Sequence, residues 1–169
     1  MKAKIIKLFE KVQKIPYKVC KFREEDIDEN IKYGDCRHKS TLLYNLLKNE
    51  GFNVKKLGVI FDWRDLPIPD NIFPILKNSG TIWTHYSLSA KIMDNWIKVD
   101  CTWDPSLKRL GFPVTIKWNG LEDTEQVTEG KLKFYEVKNY VDDPQRVKVI
   151  KEEAYLFADA LNKWILESR

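Results

Sequence analysis

A thiol, an imidazole and a carboxylate are the three groups in this chain whose types and order could together carry nucleophilic chemistry. Cys36 follows Gly34-Asp35 and opens a leucine-rich run, which puts it in the first turn of a helix. Unpaired backbone N–H groups and the positive end of the helix dipole favour an anion there, and an attacking cysteine must be a thiolate. The same N–H groups can face the oxyanion of a tetrahedral intermediate. A thiolate nucleophile needs a base, and the chain has only 2 histidines, His38 and His85. His38 lies two positions after Cys36, roughly 200° around a helix, and is expected on a solvated face turned away from the thiol. His85 lies in a strand-like run, on the face it shares with Ser87 and Ser89. An imidazole on a strand becomes a working base when a third group orients its ring. Asp100 ends the next strand and is the expected orienter. A hairpin that pairs Ala90 with Asn95 sets His85 directly opposite Asp100, whereas a two-residue Asp94-Asn95 turn sets it opposite Asp104. Each residue alone has a plainer reading: an inert buried cysteine, a structural histidine, a strand-end carboxylate.

The elements that must position these groups can be read from hydrophobic period and breakers. Ile5, Leu8, Phe9, Val12 and Ile15 predict a helix over residues 1–15, stopped by Pro16. Residues 17–33 are charged and aperiodic, a loop with room for a short helical turn over 24–31. Asp35 is an N-cap candidate for a helix with Leu42, Leu43, Leu46 and Leu47 on its apolar face and Gly51 just past its end. Cys36 shares a face with Ser40, Leu43 and Leu47, so the thiol is expected to point inward. Leu57, Val59, Phe61 and Trp63 alternate as in a half-buried strand over 52–63, and the proline-rich stretch 65–80 predicts a long irregular surface connection. Residues 82–92 and 96–102 predict two strands joined by Met93-Asp94-Asn95. Residues 114–118 and 132–141 predict two more. Pro144 suits a first helical position, and Val147, Ile150, Ala154, Phe157, Leu161, Trp164 and Ile165 form the stripe of a closing helix. The fold class expected is α+β: a cysteine-bearing helix packed on an antiparallel sheet, with helices at both ends.

Composition narrows the function classes. In 169 residues with 43% hydrophobic and 32% charged side chains, one globular domain over 1–169 is expected. The 29 basic residues against 25 acidic ones are spread along the chain without a basic block, which argues against a nucleic-acid partner. Lysines interrupt every apolar stretch near the start, so neither a membrane span nor a signal sequence is expected. Three cysteines, Cys20, Cys36 and Cys101, are too few and too irregular for a disulfide framework and suit a reducing, cytoplasmic setting. A zinc site from Cys36, His38, His85 and Cys101 lacks the usual ligand spacing, so no metal or other cofactor is expected.

The segments GDCRHKSTLLYNLLKNEGFNV, THYSLSAKI and NWIKVDCTWDP, spanning residues 32–105, together resemble the core of the transglutaminase-like superfamily. That pattern is a Gly-Asp-Cys helix start, a strand histidine, and an Asp-x-Thr at the end of the next strand, in this order. The resemblance implies a papain-like arrangement in which Cys36 is the nucleophile, His85 the general base and then acid, and Asp100 the group that fixes the imidazole. It also implies an oxyanion donor upstream of the cysteine, for which Gln13, Tyr17 and Asn30 all qualify. Cys101 and Tyr86 stand where the family often has proline and tryptophan; neither change removes a catalytic atom. No acidic calcium site accompanies the motifs. Peptide or protein amides are the substrate class implied, with hydrolysis favoured over transfer to an amine, because transfer needs a second pocket. The reading from a different class is a catalytically silent peptide- or protein-binding module on the same fold.

Overall fold

Ile5, Phe9 and Val12 recur at helical spacing and are all buried in the first helix, α1 (Lys2–Gln13). These and the following elements belong to a computed structural model that describes residues 1–21 and 27–169. The second helix, α2 (Cys36–Asn49), starts where Asp35 accepts the Arg37 backbone N–H at 3.0 Å. It ends at Gly51, whose φ of 80° lets the N–H groups of Gly51 and Phe52 return to the carbonyls of Lys48 and Leu47. Glycine reaches that left-handed conformation without the Cβ penalty, so the helix has both its stop and its carbonyl partners there.

Four strands follow: β1 (Val54–Asp62), β2 (Ile82–Ile92), β3 (Asn95–Val99) and β4 (Lys133–Val137). They form one antiparallel sheet in the order β3-β2-β1-β4, and the last helix is α3 (Lys151–Ser168). The architecture is therefore α+β with helices near both ends of the chain. Leu43 and Leu47 of α2 pack with Leu88 and Ala90 of β2, and α1 joins the same cluster. The alternate residues of β1, Val59 and Phe61, face a second cluster that includes Phe157, Leu161 and Ile165 of α3. With both faces covered, residues 85–90 of β2 are buried without interruption. Among the described residues no helix is long and apolar enough to cross a membrane.

Several sequence expectations change. The 65–80 connection is not wholly a surface loop: Asp70–Leu76 is a 3₁₀ turn that buries Ile72, Phe73 and Leu76. Residues 114–118 form no strand, because their polar groups bond to side chains instead of a neighbouring strand. The Thr115 carbonyl accepts Gln13 Nε2 at 3.0 Å, and the Thr115 hydroxyl accepts the Glu125 N–H at 2.8 Å. The expected strand over 132–141 shrinks to β4. The closing helix starts at Lys151, not Pro144. The segment before it is a strap, anchored where Val147 N–H donates to Thr84 Oγ1 and Ile150 N–H to Ser79 Oγ, each at 2.9 Å. The helical turn expected over 24–31 lies partly outside the described residues; its remainder is a non-helical turn.

One buried cation fastens the layers. Lys39 of α2 is fully buried and donates from Nζ to the carbonyls of Gln13, Ile15 and Thr102 at 3.0, 2.8 and 2.8 Å. Burial lowers its pKa to about 8, which still leaves the three-donor ammonium form at neutral pH. Lys39→Met strands three buried acceptors together, so we expect a loss of about 3 kcal/mol or more in urea unfolding. A loss under about 1 kcal/mol would mean that these carbonyls find other partners.

Candidate active site

Cys36 stands half-exposed in the first turn of α2, packed beside Tyr86, Val137 and Tyr140. Its neighbour Asp35 is the hub of the cap. Beyond the Arg37 N–H, its carboxylate accepts the Cys20 N–H at 3.1 Å and Arg37 Nη2 at 2.7 Å. Burial opposes the charge of Asp35, yet His38 and Arg37 outweigh burial and hold the carboxyl well below its usual range.

His85 is 3% exposed, and its Nε2 lies 2.7 Å from Asp100 Oδ2. Cys36 also hydrogen-bonds to this imidazole, and with Nε2 committed to Asp100 the nitrogen left for the sulfur is Nδ1. Burial disfavours the imidazolium, but the negative charge of Asp100 and of Cys36 prevails and raises His85 from 6.5 to about 10. Asp100 moves the other way. Burial pushes it up, whereas the His85 charge and the bonds from Thr102 pull it below its usual value. Its Oδ1 accepts the Thr102 N–H at 3.0 Å, and its own N–H donates to Thr124 Oγ1 at 2.8 Å. Both carboxylate oxygens are thereby fixed.

The strand register that brings this about is neither of the two expected. Ile92 pairs with Asn95 across a two-residue Met93-Asp94 turn, and Leu88 pairs with Val99. Continued by one residue, this register sets Asp100 opposite Ser87, so it meets His85 diagonally on one face, within reach of long side chains. Asp104 is not the orienter. It caps the 3₁₀ turn Pro105–Leu110 and accepts the Tyr17 N–H and Arg169 Nη2 at 2.7 and 2.6 Å. Because β3 stops at Val99, β2 has no β3 partner beyond Leu88, and α2 comes to that open edge: Ser40 Oγ donates to the Tyr86 carbonyl at 2.9 Å. The leucine face of α2 covers the side of β2 opposite to His85, so the sulfur reaches the imidazole around this edge.

His38 departs from expectation most clearly: it is 0% exposed, not solvated. Its Nδ1 lies 3.2 Å from the Asp35 backbone nitrogen and 2.9 Å from its Oδ1, which closes the cap of α2. Cys20 and Cys101 are buried and pushed up to about 12 by that burial, so both stay neutral thiols near pH 7. Among the described residues, Cys20, Asp35 and His38 are the group close enough to hold a metal, with ligand atoms within 4.8 Å of one another. The donors are already engaged: Cys20 Sγ donates to the Lys18 carbonyl at 2.9 Å, and a cation at Asp35 would have to displace Arg37.

Of the three upstream donors considered for an oxyanion, Gln13 spends its amide on Thr115 and Asn30 is exposed. Tyr17 is 5% exposed and bridged to Gly34, two residues before Cys36. Its hydroxyl has no hydrogen-bond partner among the described residues and shares a cavity of about 200 Å³ with Cys36 and His85. Burial, then the charges of Cys36 and Asp35, raise this phenol well above its usual value, so it remains an O–H donor. Lys39 escaped the sequence reading, and Ser40 was placed on the Cys36 face without its partner, the Tyr86 carbonyl. The only signal for Lys39 was a lysine set among the leucines of α2.

No family model, curated protein or solved structure matches this chain.

The raised His85 pKa has a signed consequence. Pairing of the protonated ring stabilises the fold fully below pH 6.5 and is lost as pH rises through about 10. Asp100→Asn removes most of that pairing. We expect it to cost about 3 kcal/mol in urea unfolding at pH 6, with the deficit shrinking as pH climbs from 6.5 to about 10. A deficit that stays flat with pH would contradict the assignment of the charge to His85.

Proposed function

We propose that this chain is a cysteine-nucleophile acyl-transfer enzyme of the transglutaminase-like, papain-like type, acting on amide bonds of peptides or proteins. The observation that carries the reading is one buried imidazole shared between the Asp100 carboxylate and a half-exposed cysteine at a helix N-terminus. In the resting site His85 carries the proton, and the attacking form of Cys36 is the thiolate. Sγ attacks the carbonyl carbon and a C–S bond forms. The oxygen takes up the negative charge, facing the Cys36 N–H and the Tyr17 hydroxyl. Collapse breaks the C–N bond as His85 protonates the departing amine, and a thioester remains. Water then attacks the thioester, gives its proton to His85, and the C–S bond breaks to return the thiolate and a carboxylic acid. Asp100 holds the ring in one orientation through both steps and opposes its charge.

Water reaches any acyl-enzyme, whereas transfer to an amine needs a second binding site, so hydrolysis is the preferred outcome. A silent binding module on the same fold has less support, since it has no use for a sulfur that opens onto a cavity beside a paired imidazole. Three free thiols fit a reducing compartment, and a single catalytic domain in the cytoplasm is the setting we favour.

An activated ester tests this without knowledge of the natural substrate. With p-nitrophenyl acetate we expect a burst of about one p-nitrophenolate per chain, followed by slow turnover, and an acetyl thioester at Cys36 in the peptide map. Cys36→Ala abolishes both. Tyr17→Phe slows the burst by about 10²-fold while the chain stays folded. A burst that survives Cys36→Ala overturns the reading.

A further inference from the structure

The aromatic residues beside the site form a continuous lining. Phe61 stands edge-on to His85 with ring centroids 6.0 Å apart, and Trp63 stands edge-on to Phe61 at 4.9 Å. Trp63 meets Trp83 at 5.8 Å and 82°, and Trp83 meets Phe157 of α3 at 5.6 Å. All of these line the same cavity as Cys36 and His85. Beside Phe157, α3 also contributes Ala154 and Ala158 to the lining, side chains too small to fill it. Its volume of about 200 Å³ exceeds the ~150 Å³ of an apolar cavity that holds benzene.

The charge at the rim is one-sided. Among the described residues, Lys21, Arg37 and Arg146 border the cavity, with Lys21 3.6 Å from Asp159, and the one carboxylate in the lining, Asp35, is taken up by Arg37 and the α2 cap. A lysine or arginine side chain entering the cavity meets like charge and finds no free acid among the described residues. An aromatic ring instead gains apolar burial and edge-to-face partners on several sides.

We propose that this cavity is the specificity pocket of the enzyme and takes one aromatic side chain of the substrate next to the carbonyl under attack. The proposal rests on the reading of Cys36 as the nucleophile. It assigns the substrate class as peptides or amides with an aromatic residue at the cleavage site, and it excludes cationic side chains from that position.

Three alkylating probes separate the two ideas: iodoacetamide, N-benzyl iodoacetamide, and its N-[2-(trimethylammonio)ethyl] analogue. In each, the Cys36 sulfur forms a C–S bond and iodide leaves. Rates at Cys36 are read by mass spectrometry and divided by the rate with glutathione. We expect the benzyl probe to react at least about tenfold faster than iodoacetamide, and the cationic probe no faster than iodoacetamide. Ala154→Phe places a ring in the pocket from α3 and brings the benzyl ratio close to one. Circular dichroism checks its fold, and Ala154→Leu repeats the test should that variant not fold. Rapid labelling of Cys36 at one common rate by all three probes overturns the pocket and leaves the nucleophile standing. A benzyl advantage that persists in the filled variant also overturns it. Slow labelling by every probe removes the nucleophile, and the pocket proposal with it.

Discussion

A charged imidazole almost sealed from water is tenable only where negative groups meet it, and that requirement organises the site. Free of partners, a buried histidine sheds its proton. At His85 the carboxylate of Asp100 sits 2.7 Å from one nitrogen and the Cys36 sulfur engages the ring as well. Removing either partner leaves an uncompensated charge, which is far costlier than losing an exposed ion pair. Three separate segments must therefore arrive at one ring: the start of α2, the middle of β2, and the chain just past β3.

The arrivals are coupled by backbone hydrogen bonds. Asp100 leaves the ladder because its N–H turns to Thr124 and its Oδ1 takes the Thr102 N–H. This early exit shortens β3 and uncovers the edge of β2, and α2 comes to that edge through Ser40. Lys39, one position before, reaches the Thr102 carbonyl. The helix that carries Cys36 is thus tied directly to the segment that carries Asp100, while its other two bonds hold the end of α1. Asp35 adds the local half of the same design: it caps α2, binds Cys20 and Arg37, and keeps the first turn in place beneath Tyr17 and Gly34.

Much of this was legible from local signals. Asp35 before an apolar stripe and Gly51 after it mark α2 correctly, since caps are decided by the residues on the spot. The alternation in β1 and β2 was equally readable. The hairpin register was not. Met93 adopts a φ of 54° without the glycine or asparagine that normally announces such a turn, so neither expected pairing is the one formed. His85 and Asp100 meet because a diagonal neighbour on one face is close enough. Residues 114–118 alternate like a strand, but among the described residues no strand pairs with them. His38 was placed on the right side of α2 relative to Cys36 and given the wrong environment. Helical angles say where a side chain points; they do not show that Gly34 packs closely against the His38 Cβ and that the ring turns back onto the Asp35 cap. Pro144 looked like a helix start, yet residues 144–145 form a turn and the chain beyond it is held out of a helix where Val147 and Ile150 bond to Thr84 and Ser79, partners that are distant in sequence.

The most direct test of the account is the pH dependence of iodoacetamide labelling at each cysteine, in the native protein and in His85→Ala. The thiolate–imidazolium pair predicts that Cys36 alone labels rapidly at neutral pH, with Cys20 and Cys101 silent until the chain unfolds. It also predicts that His85→Ala abolishes that selectivity. Labelling of Cys36 no faster than that of the two buried thiols, or unchanged without His85, would contradict the pair and the enzyme reading built on it.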